Sequence, residues 1–327
     1  MSGKPVFDRD YTPSLNHAME QDAHGLWRDR QQPVDLSLSE PARIHYVKTR
    51  VEVPAPEPAA LTDYVVDRVT VNERGLQALV AYRRGARACP TMVICVGGPN
   101  VPPPDLTEPD SLYRYLLAQG WTLVVPLRRG VMTVSEEWEK ALEGHYGEYD
   151  VADTLEAVRC VQQRCEAVDK ERMVLYGGSY GGYVAQLIAG RENSDRLFKA
   201  VIAHCGVYDL RTYPRHTQGR AEETMETYAG TTDPQEYSRR VEAISPQTYV
   251  QRWSVPVLLI HHLHDTSTWV GQSVAAYNEA LSLHKTVRLI IVNGPHTYAI
   301  PQREALFGAI ARFAREAIEN PQSNESN

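Results

Sequence analysis

Apolar residues occur along this chain in two alternating patterns, short unbroken runs and spacings of about three to four residues. Short unbroken runs are typical of strands that are buried on both faces of a parallel sheet. They predict strands at 64–71, 76–82, 91–96, 121–127, 173–176, 198–204, 255–261 and 287–292. The helical spacings predict helices at 111–119, 151–165, 180–189, 270–283 and 303–318. The alternation predicts an α/β protein with helices on both faces of the sheet.

The order of the predicted elements indicates one large sheet with an insertion near its end. The first two strands flank a turn that ends at Gly75 and are expected to pair antiparallel, which gives an eight-stranded, mostly parallel sheet. The interval 206–250 has helical patches but no strand pattern, so we interpret it as a small, cap-like helical insertion. Insertions at the carboxyl ends of strands commonly shape ligand sites in this class of fold.

The sequence also predicts two segments outside the large domain at 61–320. Residues 1–60 are polar, contain a predicted helix at 14–27 and end in a proline-rich linker. We interpret them as an N-terminal extension that serves as a lid over the site or as a dimer arm, and the sequence leaves both open. Residues 321–327 are predicted to form a disordered tail.

Composition and charge exclude several classes of protein. The chain has 327 residues, of which 43% are apolar, so it is neither disordered nor fibrous. It carries 34 basic and 41 acidic residues without a long basic run, so we expect neither nucleic acid nor a membrane as its partner. Five cysteines and a polar N-terminus without a signal core predict free thiols in a cytoplasmic protein. The expected partner is a small molecule or a short peptide, and a homodimer remains open.

The strongest chemical signal is the segment Gly177-Gly178-Ser179-Tyr180-Gly181, which has the pattern G-x-S-x-G. An apolar strand precedes it and a helix pattern follows, as in a nucleophile elbow, where a sharp turn exposes the serine hydroxyl above the sheet. Such a strained turn needs glycine wherever a Cβ would clash. The alternative is a glycine-rich turn that serves only close packing. We favour the nucleophile because of the strand and the helix around it.

A serine hydroxyl needs a general base and an acid that orients the base. In this arrangement of strands, the acid and the histidine follow the serine in chain order, on loops after later strands. Asp265 follows the strand at 255–261 and His296 follows the last strand, so we predict them as acid and base. The rival acid is Asp209, after the strand ending at His204, with a turn or capping role as its alternative.

The residues before the predicted acid also invite a metal site. His261, His262 and His264 precede Asp265, and histidines at alternating positions could present two imidazoles to a metal ion. The sequence identifies no distant third ligand, and the acid already has a role. We therefore predict no metal and no organic cofactor, and we interpret the cluster as a buried strand-end histidine with loop residues.

An oxyanion formed at a substrate carbonyl needs backbone N–H donors close to Ser179. We predict the N–H of Tyr180 and a second donor at Gly98, in the Gly-Gly-Pro turn after an early strand. That turn, a loop after the next strand and the insertion 206–250 are expected to line the pocket, although a solvated surface is the alternative for the insertion's cations. The residues predicted to contact the substrate are Pro99, Asn100, Arg129, Val131, Tyr213, Arg215 and Trp269.

Several segments besides the elbow match one known family. They are 96–99, 129–130, 146–153, 169–182, 245–246 and 272–273, together with Asp265 and His296. On these residues, the chain from about 64 to 318 resembles the catalytic domain of the prolyl oligopeptidase family of serine peptidases, without the β-propeller. The resemblance implies an α/β-hydrolase fold with Ser179 as nucleophile, Asp265 as acid and His296 as base.

This resemblance implies a serine hydrolase that works through an acyl-enzyme. We expect a peptidase or amidase that acts on small peptides or amide-containing metabolites. One alternative is an esterase, thioesterase or acyltransferase in a biosynthetic pathway. The other is a non-catalytic ligand-binding protein with the same fold, and the presence of all three predicted triad residues argues against it.

Overall fold

In the computed structural model of the chain, an eight-stranded sheet forms the centre of the protein. The structure describes residues 19–21, 27–29, 63–133, 135–191, 197–213, 227–231, 233–296 and 303–319. Its strands are β1 (Met19–Gln21), β2 (Trp27–Asp29), β3 (Tyr64–Thr70), β4 (Gln77–Arg83), β5 (Cys89–Cys95), β6 (Thr122–Leu127), β7 (Val168–Gly178), β8 (Ala200–His204), β9 (Val257–His262) and β10 (Val287–Val292). Most of the predicted extension at 1–60 and all of the predicted tail at 321–327 lie outside the described residues.

The central sheet has the strand order β10-β9-β8-β7-β5-β6-β4-β3. Strands β5 to β10 are parallel, whereas β4 runs antiparallel to both β3 and β6. The predicted number of strands and their mostly parallel arrangement are therefore confirmed. The strand order reverses at β5, which lies between β6 and β7, and crevices at the carboxyl ends of strands beside such a reversal commonly hold ligands.

Helices cover both faces of the sheet. They are α1 (Leu112–Ala118), α2 (Glu136–Lys140), α3 (Tyr149–Arg164), α4 (Tyr180–Arg191), α5 (Pro234–Ile244), α6 (Gly271–Ser282) and α7 (Arg303–Glu319). One face packs against α3, α4 and α6, and the other packs against α1 and α7. In α7, Leu306, Ile310 and Phe313 lie at helical spacing and are buried, because this spacing puts them on the face toward the sheet. All five helices predicted within the large domain are present, with bounds that differ by at most two residues.

The chain between β8 and β9 contains helices and no strand among its described residues. Helix α5 begins after Asp233, whose side chain accepts a hydrogen bond from the N–H of Glu236, and Pro234 occupies the first turn, where it loses no helical bond. A 3₁₀-helix (Pro246–Arg252) follows directly. The buried Ser245 between them accepts a hydrogen bond from the N–H of Leu210, which fastens the insertion to the chain that leaves β8.

The helix predicted at 14–27 is wrong for the residues that the structure describes there. Strands β1 and β2 pair antiparallel instead, with Glu20 opposite Arg28. Helical propensity alone stabilises a short segment weakly, and this polar segment lacks an apolar face that would favour a helix. Among the described helices, none combines the length and the apolar composition needed to cross a bilayer.

Candidate active site

The turn between β7 and α4 places Ser179 above the carboxyl edge of the sheet. Its backbone has a φ of 55°, in the left-handed region that non-glycine residues rarely adopt. Its N–H donates to the carbonyl of His204 on the neighbouring strand at 2.7 Å. A Cβ on Gly177 would lie 1.9 Å from the carbonyl oxygen of Gly181, so the turn closes only with glycine there. The sharp turn predicted for a nucleophile elbow is present.

Three side chains that are distant in the chain meet at this turn. The Nε2 atom of His296 lies 2.9 Å from the Oγ atom of Ser179. Its Nδ1 atom lies 2.5 Å from the Oδ2 atom of Asp265. The carboxylate cannot donate when ionised, so Nδ1 carries a proton and Nε2 is left to accept one from the serine hydroxyl. The arrangement is an alcohol, an imidazole and a carboxylate in one hydrogen-bonded line.

The carboxylate of Asp265 is buried and held by the loop that carries it. Its Oδ1 atom accepts hydrogen bonds from the N–H groups of Ser267 at 2.9 Å and Thr268 at 2.7 Å. Burial acts to raise the pKa of Asp265, but the hydrogen bond from His296 and the proximity of His261 lower it, and the net pKa lies below the usual value. Asp265 is therefore ionised at neutral pH.

The rival acid Asp209 has other partners. Its Oδ1 and Oδ2 atoms accept hydrogen bonds from the guanidinium of Arg211 at 2.9 and 3.1 Å. Its Oδ1 atom also accepts from the N–H of Arg211, as in a turn. The imidazole of His296 contacts Asp265 instead. The acid beside the predicted base is therefore Asp265, the one that chain order favours.

His261 is hydrogen-bonded to the loop that carries Asp265. Because the carbonyl oxygen of Thr268 can only accept, the Nε2–H of His261 donates to it, at 2.7 Å. Its Nδ1 atom then accepts from the hydroxyl of Ser273, also at 2.7 Å. Burial lowers the pKa of His261 to about 4, although the nearby Asp265 opposes the shift. A neutral imidazole with two hydrogen bonds fits the interpretation of a buried strand-end histidine.

Two groups of possible metal-ligating side chains are present among the described residues, and neither is the alternating set considered from the sequence. One group is His204, Cys205 and His262, and the other is Cys205, Asp265 and His296. His204 and His262, whose imidazoles face each other, come from the adjacent strands β8 and β9 rather than from alternating positions on one strand. Chain order gave no signal for this pairing.

The backbone around Ser179 offers two candidate oxyanion donors. The N–H of Tyr180 is the first of α4, and the first N–H groups of a helix have no partner within that helix. The loop after β5 approaches from the other side, where a Cβ on Gly97 would lie 3.5 Å from the Cβ of Ser179. Gly98, the residue predicted from the sequence, comes next in the chain and packs against Val101. The sequence shows two successive glycines, and it does not indicate which of them approaches Ser179.

Two charged residues, Arg128 and Asp150, are buried beside this region, and no motif in the sequence indicates a role for them. Arg128 is 1% exposed, and its Nη2 atom donates to the carbonyl of Val96 at 3.1 Å. Its guanidinium lies over the ring of Tyr180, whose hydroxyl donates to the buried carboxylate of Asp150. Burial raises the pKa of Asp150, and the positive charge of Arg128 opposes that shift. The available signal was a charged residue directly after the strand pattern of β6, which is apolar from Leu123 to Leu127, because buried charges need partners.

Among the residues predicted to contact the substrate, Val131 and Trp269 are buried and the half-buried Arg129 is held in an ion pair. Arg129 donates to Asp153 through Nε at 2.8 Å and through Nη2 at 2.7 Å. Val131 is fully buried. Trp269 is 8% exposed, and its ring covers Gly271 so closely that a Cβ there would overlap it. Substrate contact by these three residues stays a prediction, and the guanidinium of Arg129 is already paired.

The other predicted contact residues lie closer to the triad or outside the described chain. Pro99 and Asn100 follow the glycine pair, and Asn100 is exposed. Burial, and then the charge of Asp265, raise the pKa of Tyr213, so its ring lies near that carboxylate. Arg215 is outside the described residues.

A cavity of about 310 Å³ opens beside the three converging side chains. Ser179, His296, Gly97, Tyr176 and His204 are among the residues that line it. The alcohol and the base therefore face a space that a small ligand group can enter.

The mostly parallel sheet and the serine at a strand–turn–helix junction define the α/β-hydrolase fold. The model of the prolyl oligopeptidase family matches residues 110–317, and the chain belongs to that family. The matched region contains the elbow, Asp265 and His296.

Curated relatives carry the name dipeptidyl-peptidase 5. The protein of that name from Porphyromonas gingivalis is 29% identical over 220 residues, which are 67% of this chain and 32% of the relative. The one from Porphyromonas endodontalis is 27% identical over 228 residues, which are 67% of this chain and 31% of the relative. The chain thus spans about a third of the length of these relatives.

Solved structures support the fold. The uncomplexed acylaminoacyl peptidase of Pyrococcus horikoshii has a TM-score of 0.68 and 21% identity, and the match covers 81% of this chain and 43% of that one. A puromycin hydrolase matches with a TM-score of 0.67 and 18% identity, over 79% of this chain and 39% of that one. At these identities, the likeness concerns the fold alone.

Proposed function

We propose that this protein is a serine hydrolase that forms an acyl-enzyme on Ser179. The observation that carries the proposal is the hydrogen-bonded line from the hydroxyl of Ser179 through His296 to Asp265. His296 removes the hydroxyl proton while the oxygen attacks a carbonyl carbon, and it then protonates the leaving group. Asp265 holds the imidazole in the tautomer that accepts at Nε2 and stabilises its positive form. Water then hydrolyses the acyl-enzyme, and His296 again acts as the base.

The negative oxygen that forms during the attack needs donors that are already in place. The N–H of Tyr180 is one, and the glycine pair Gly97 and Gly98 after β5 supplies the other. Loss of one such donor typically costs about 2.7–4 kcal/mol of transition-state stabilisation. Arg128 acts as a positioning residue, because it holds the carbonyl of Val96 directly before this pair.

We further propose that the substrates are small peptides or amide-containing metabolites. The family assignment and the names of the relatives, dipeptidyl-peptidase 5 and acylaminoacyl peptidase, support a peptide bond as the target. The puromycin hydrolase among the structural neighbours supports a small amide as a second kind of substrate. The cavity of about 310 Å³ beside Ser179 suits a group of amino-acid size rather than a folded protein.

A fluorophosphonate probe tests the nucleophile directly, because it reacts with an activated serine and needs no knowledge of the substrate. The wild-type chain should be labelled, and Ser179→Ala should not be. Ser282→Ala, at an exposed serine of α6, is the matched control and should be labelled like the wild type. Absence of label on the folded wild type would contradict the proposal and favour a binding protein with the same fold.

A substrate panel tests the choice of bond. For each substrate, kcat/KM is divided by the rate constant of uncatalysed hydrolysis. This ratio should be higher for aminoacyl and dipeptidyl arylamides than for short-chain esters. Ser179→Ala supplies the background for each substrate. Turnover of the esters alone would contradict an amidase and support the esterase alternative.

A further inference from the structure

Two histidines and a cysteine lie together at the carboxyl ends of β8 and β9. His204, Cys205 and His262, here named the His–His–Cys cluster, are 2%, 4% and 1% exposed. One ligand atom from each lies within 4.8 Å of the other two. All three side chains line the cavity that also contains Ser179. The cluster is buried in the protein and reachable from the cavity.

The two imidazoles are oriented as metal-binding histidines are. The Nε2 atoms of His204 and His262 face each other at 2.9 Å. The outer nitrogen of each ring has an oxygen partner, the carbonyl of Pro295 at 2.5 Å from Nδ1 of His262 and the hydroxyl of Tyr176 at 3.0 Å from Nδ1 of His204. Oxygen partners on the outer nitrogen fix the ring orientation at most histidine ligands of metals.

The protons at this pair can be followed from its partners. A carbonyl oxygen only accepts, so Nδ1 of His262 carries a proton and its Nε2 has a lone pair when the ring is neutral. Nε2 of His204 then donates the shared proton, and its Nδ1 accepts from Tyr176. If His204 changes to its other neutral tautomer, both Nε2 atoms present lone pairs to the same point.

The geometry lies close to that of a tetrahedral site. Two nitrogens bound to zinc at about 2.0–2.1 Å are about 3.4 Å apart, and a nitrogen and a thiolate sulfur bound at about 2.3 Å are about 3.6 Å apart. The observed nitrogen pair at 2.9 Å would open by about half an ångström, and the thiol would move in by about an ångström at most. Side-chain rotations of this size need no change in the strands.

Cys205 is also held in an unusual backbone conformation. Its φ is 52°, in the left-handed region, and its N–H donates to the carbonyl of Ile260 at 2.7 Å. Non-glycine residues persist in this region only where the surroundings impose it, and such residues concentrate at functional sites. The Sγ atom of Cys205, a carboxylate oxygen of Asp265 and a ring nitrogen of His296 lie within 4.8 Å of one another, so the cluster adjoins the triad.

We propose that the His–His–Cys cluster binds one borderline-soft divalent cation of the Zn²⁺ type, with the fourth ligand position open to the cavity. Imidazole and thiolate together favour such an ion over Mg²⁺ or Ca²⁺. Binding forms two metal–nitrogen bonds and one metal–sulfur bond. It displaces water ligands from the hydrated ion and releases the thiol proton to solvent, while the ring proton of His204 moves from Nε2 to Nδ1, where it forms a hydrogen bond to the hydroxyl oxygen of Tyr176. No electron is transferred.

The bound ion inhibits the hydrolase, and this consequence rests on the proposed function. The ligand Cys205 lies within 4.8 Å of Asp265 and His296, so the positive charge of the metal lies near the imidazole of His296, which must itself become positive during catalysis. The fourth position also places a metal-bound water in the cavity beside Ser179.

Titration of the full chain with Co²⁺ tests the site without any substrate. A tetrahedral Co²⁺ ion with a thiolate ligand gives intense visible bands and a sulfur-to-metal charge-transfer band, and both should saturate at one equivalent on the wild type. His204→Gln and Cys205→Ser should each weaken binding by more than about 10–100-fold, the loss typical when only a residue behind a ligand is changed. Cys160→Ser and the exposed His145→Gln are the matched controls and should bind like the wild type.

His296→Ala separates this site from the second group, Cys205, Asp265 and His296. It should retain the one-equivalent spectrum, whereas loss of the spectrum in His296→Ala with retention in His204→Gln would overturn the proposal. No spectrum on the wild type would also overturn it. Thermal unfolding of each variant without metal shows that it folds, and if one substitution prevents folding, the other decides.

Zn²⁺ should slow fluorophosphonate labelling of the wild type at least tenfold, and a chelator should restore it. Unchanged labelling by a protein with its metal bound would overturn the inhibitory part. A protein that is not labelled even without metal would contradict the proposed hydrolase, while the Co²⁺ spectrum would still decide the metal site.

Discussion

The backbone of Gly181 lies directly against that of Cys95, so that a Cβ on Gly181 would be 1.9 Å from the Cys95 carbonyl oxygen. Gly181 belongs to the first turn of α4, and Cys95 ends β5. This contact brings the turn that carries Ser179 against the strand that leads into Gly97. The distance between the nucleophile and the glycine pair is therefore set by backbone packing.

Gly181→Ala should prevent this packing, because a Cβ cannot share the space of a carbonyl oxygen. We expect a loss of about 3 kcal/mol or more in the free energy of unfolding, the upper end for overpacked positions, together with loss of fluorophosphonate labelling. Gly85→Ala is the control, since its φ of +78° is unfavourable for alanine but no atom lies within 4 Å. It should lose about 1–2 kcal/mol and keep its label. Equal losses in urea unfolding would contradict the packing argument.

Asp265→Asn should lower kcat by about 10⁴-fold with little change in KM, because an amide no longer fixes the tautomer of His296 or stabilises its positive form. Asp209→Asn should change kcat by less than about tenfold, since its carboxylate is paired with Arg211. Steady-state kinetics on an arylamide substrate measure both. A larger loss in Asp209→Asn than in Asp265→Asn would mean that the acid comes from the earlier strand.

Arg128→Gln should affect both stability and activity. It removes a hydrogen bond from a charged donor to the Val96 carbonyl, and such bonds are typically worth about 1.5–3 kcal/mol; it also removes the positive charge that lowers the pKa of the buried Asp150. The released loop should also lower kcat/KM, since Gly97 follows Val96 directly. Arg211→Gln breaks a partly exposed ion pair, which is worth about 1 kcal/mol or less. Urea unfolding and labelling rates compare the two, and similar losses would contradict the role given to Arg128.

Stability should fall as the pH decreases from about 6.5 toward 4. His261 has an ordinary pKa near 6.5 when unfolded and a pKa of about 4 when buried, so in this window the unfolded chain binds a proton that the folded chain does not. The stability is complete above about pH 6.5 and declines by up to about 1.4 kcal/mol per pH unit for such a group. Burial also lowers the pKa of His204 and His262, so these two residues add to the loss of stability at acidic pH.

Urea unfolding at a series of pH values measures this slope. His261→Gln should be less stable at pH 7.5, because it loses the bonds to Thr268 and Ser273, but its stability should fall less steeply between pH 6.5 and 4. Asp265 affects the slope mainly at lower pH. Its pKa is lowered in the folded chain, so its contribution to the free energy of unfolding is lost only as the pH falls far enough to protonate the carboxylate. An unchanged slope in His261→Gln would contradict a neutral His261 in the folded protein.

Strand and helix patterns predicted most of the central fold because they follow from local periodicity. The bounds differed where tertiary pairing overrode the pattern. The predicted strand at 173–176 corresponds to β7, which runs over Val168–Gly178, because Val168 also pairs with Cys89 of β5, with an irregularity in the register before Met173 meets Thr91. The helix predicted at 14–27 had no apolar face to support it.

The sequence by itself determined the alternating α/β order and the elbow around Ser179, because both depend on neighbouring residues. Only the tertiary structure showed that His296 meets Asp265 and that Gly97 approaches the serine. It also brought His204 to His262, since His204 pairs with Ile260 and the next residue on that face of β9 is His262. Such meetings depend on the register between strands and on loop paths, and no local pattern encodes them.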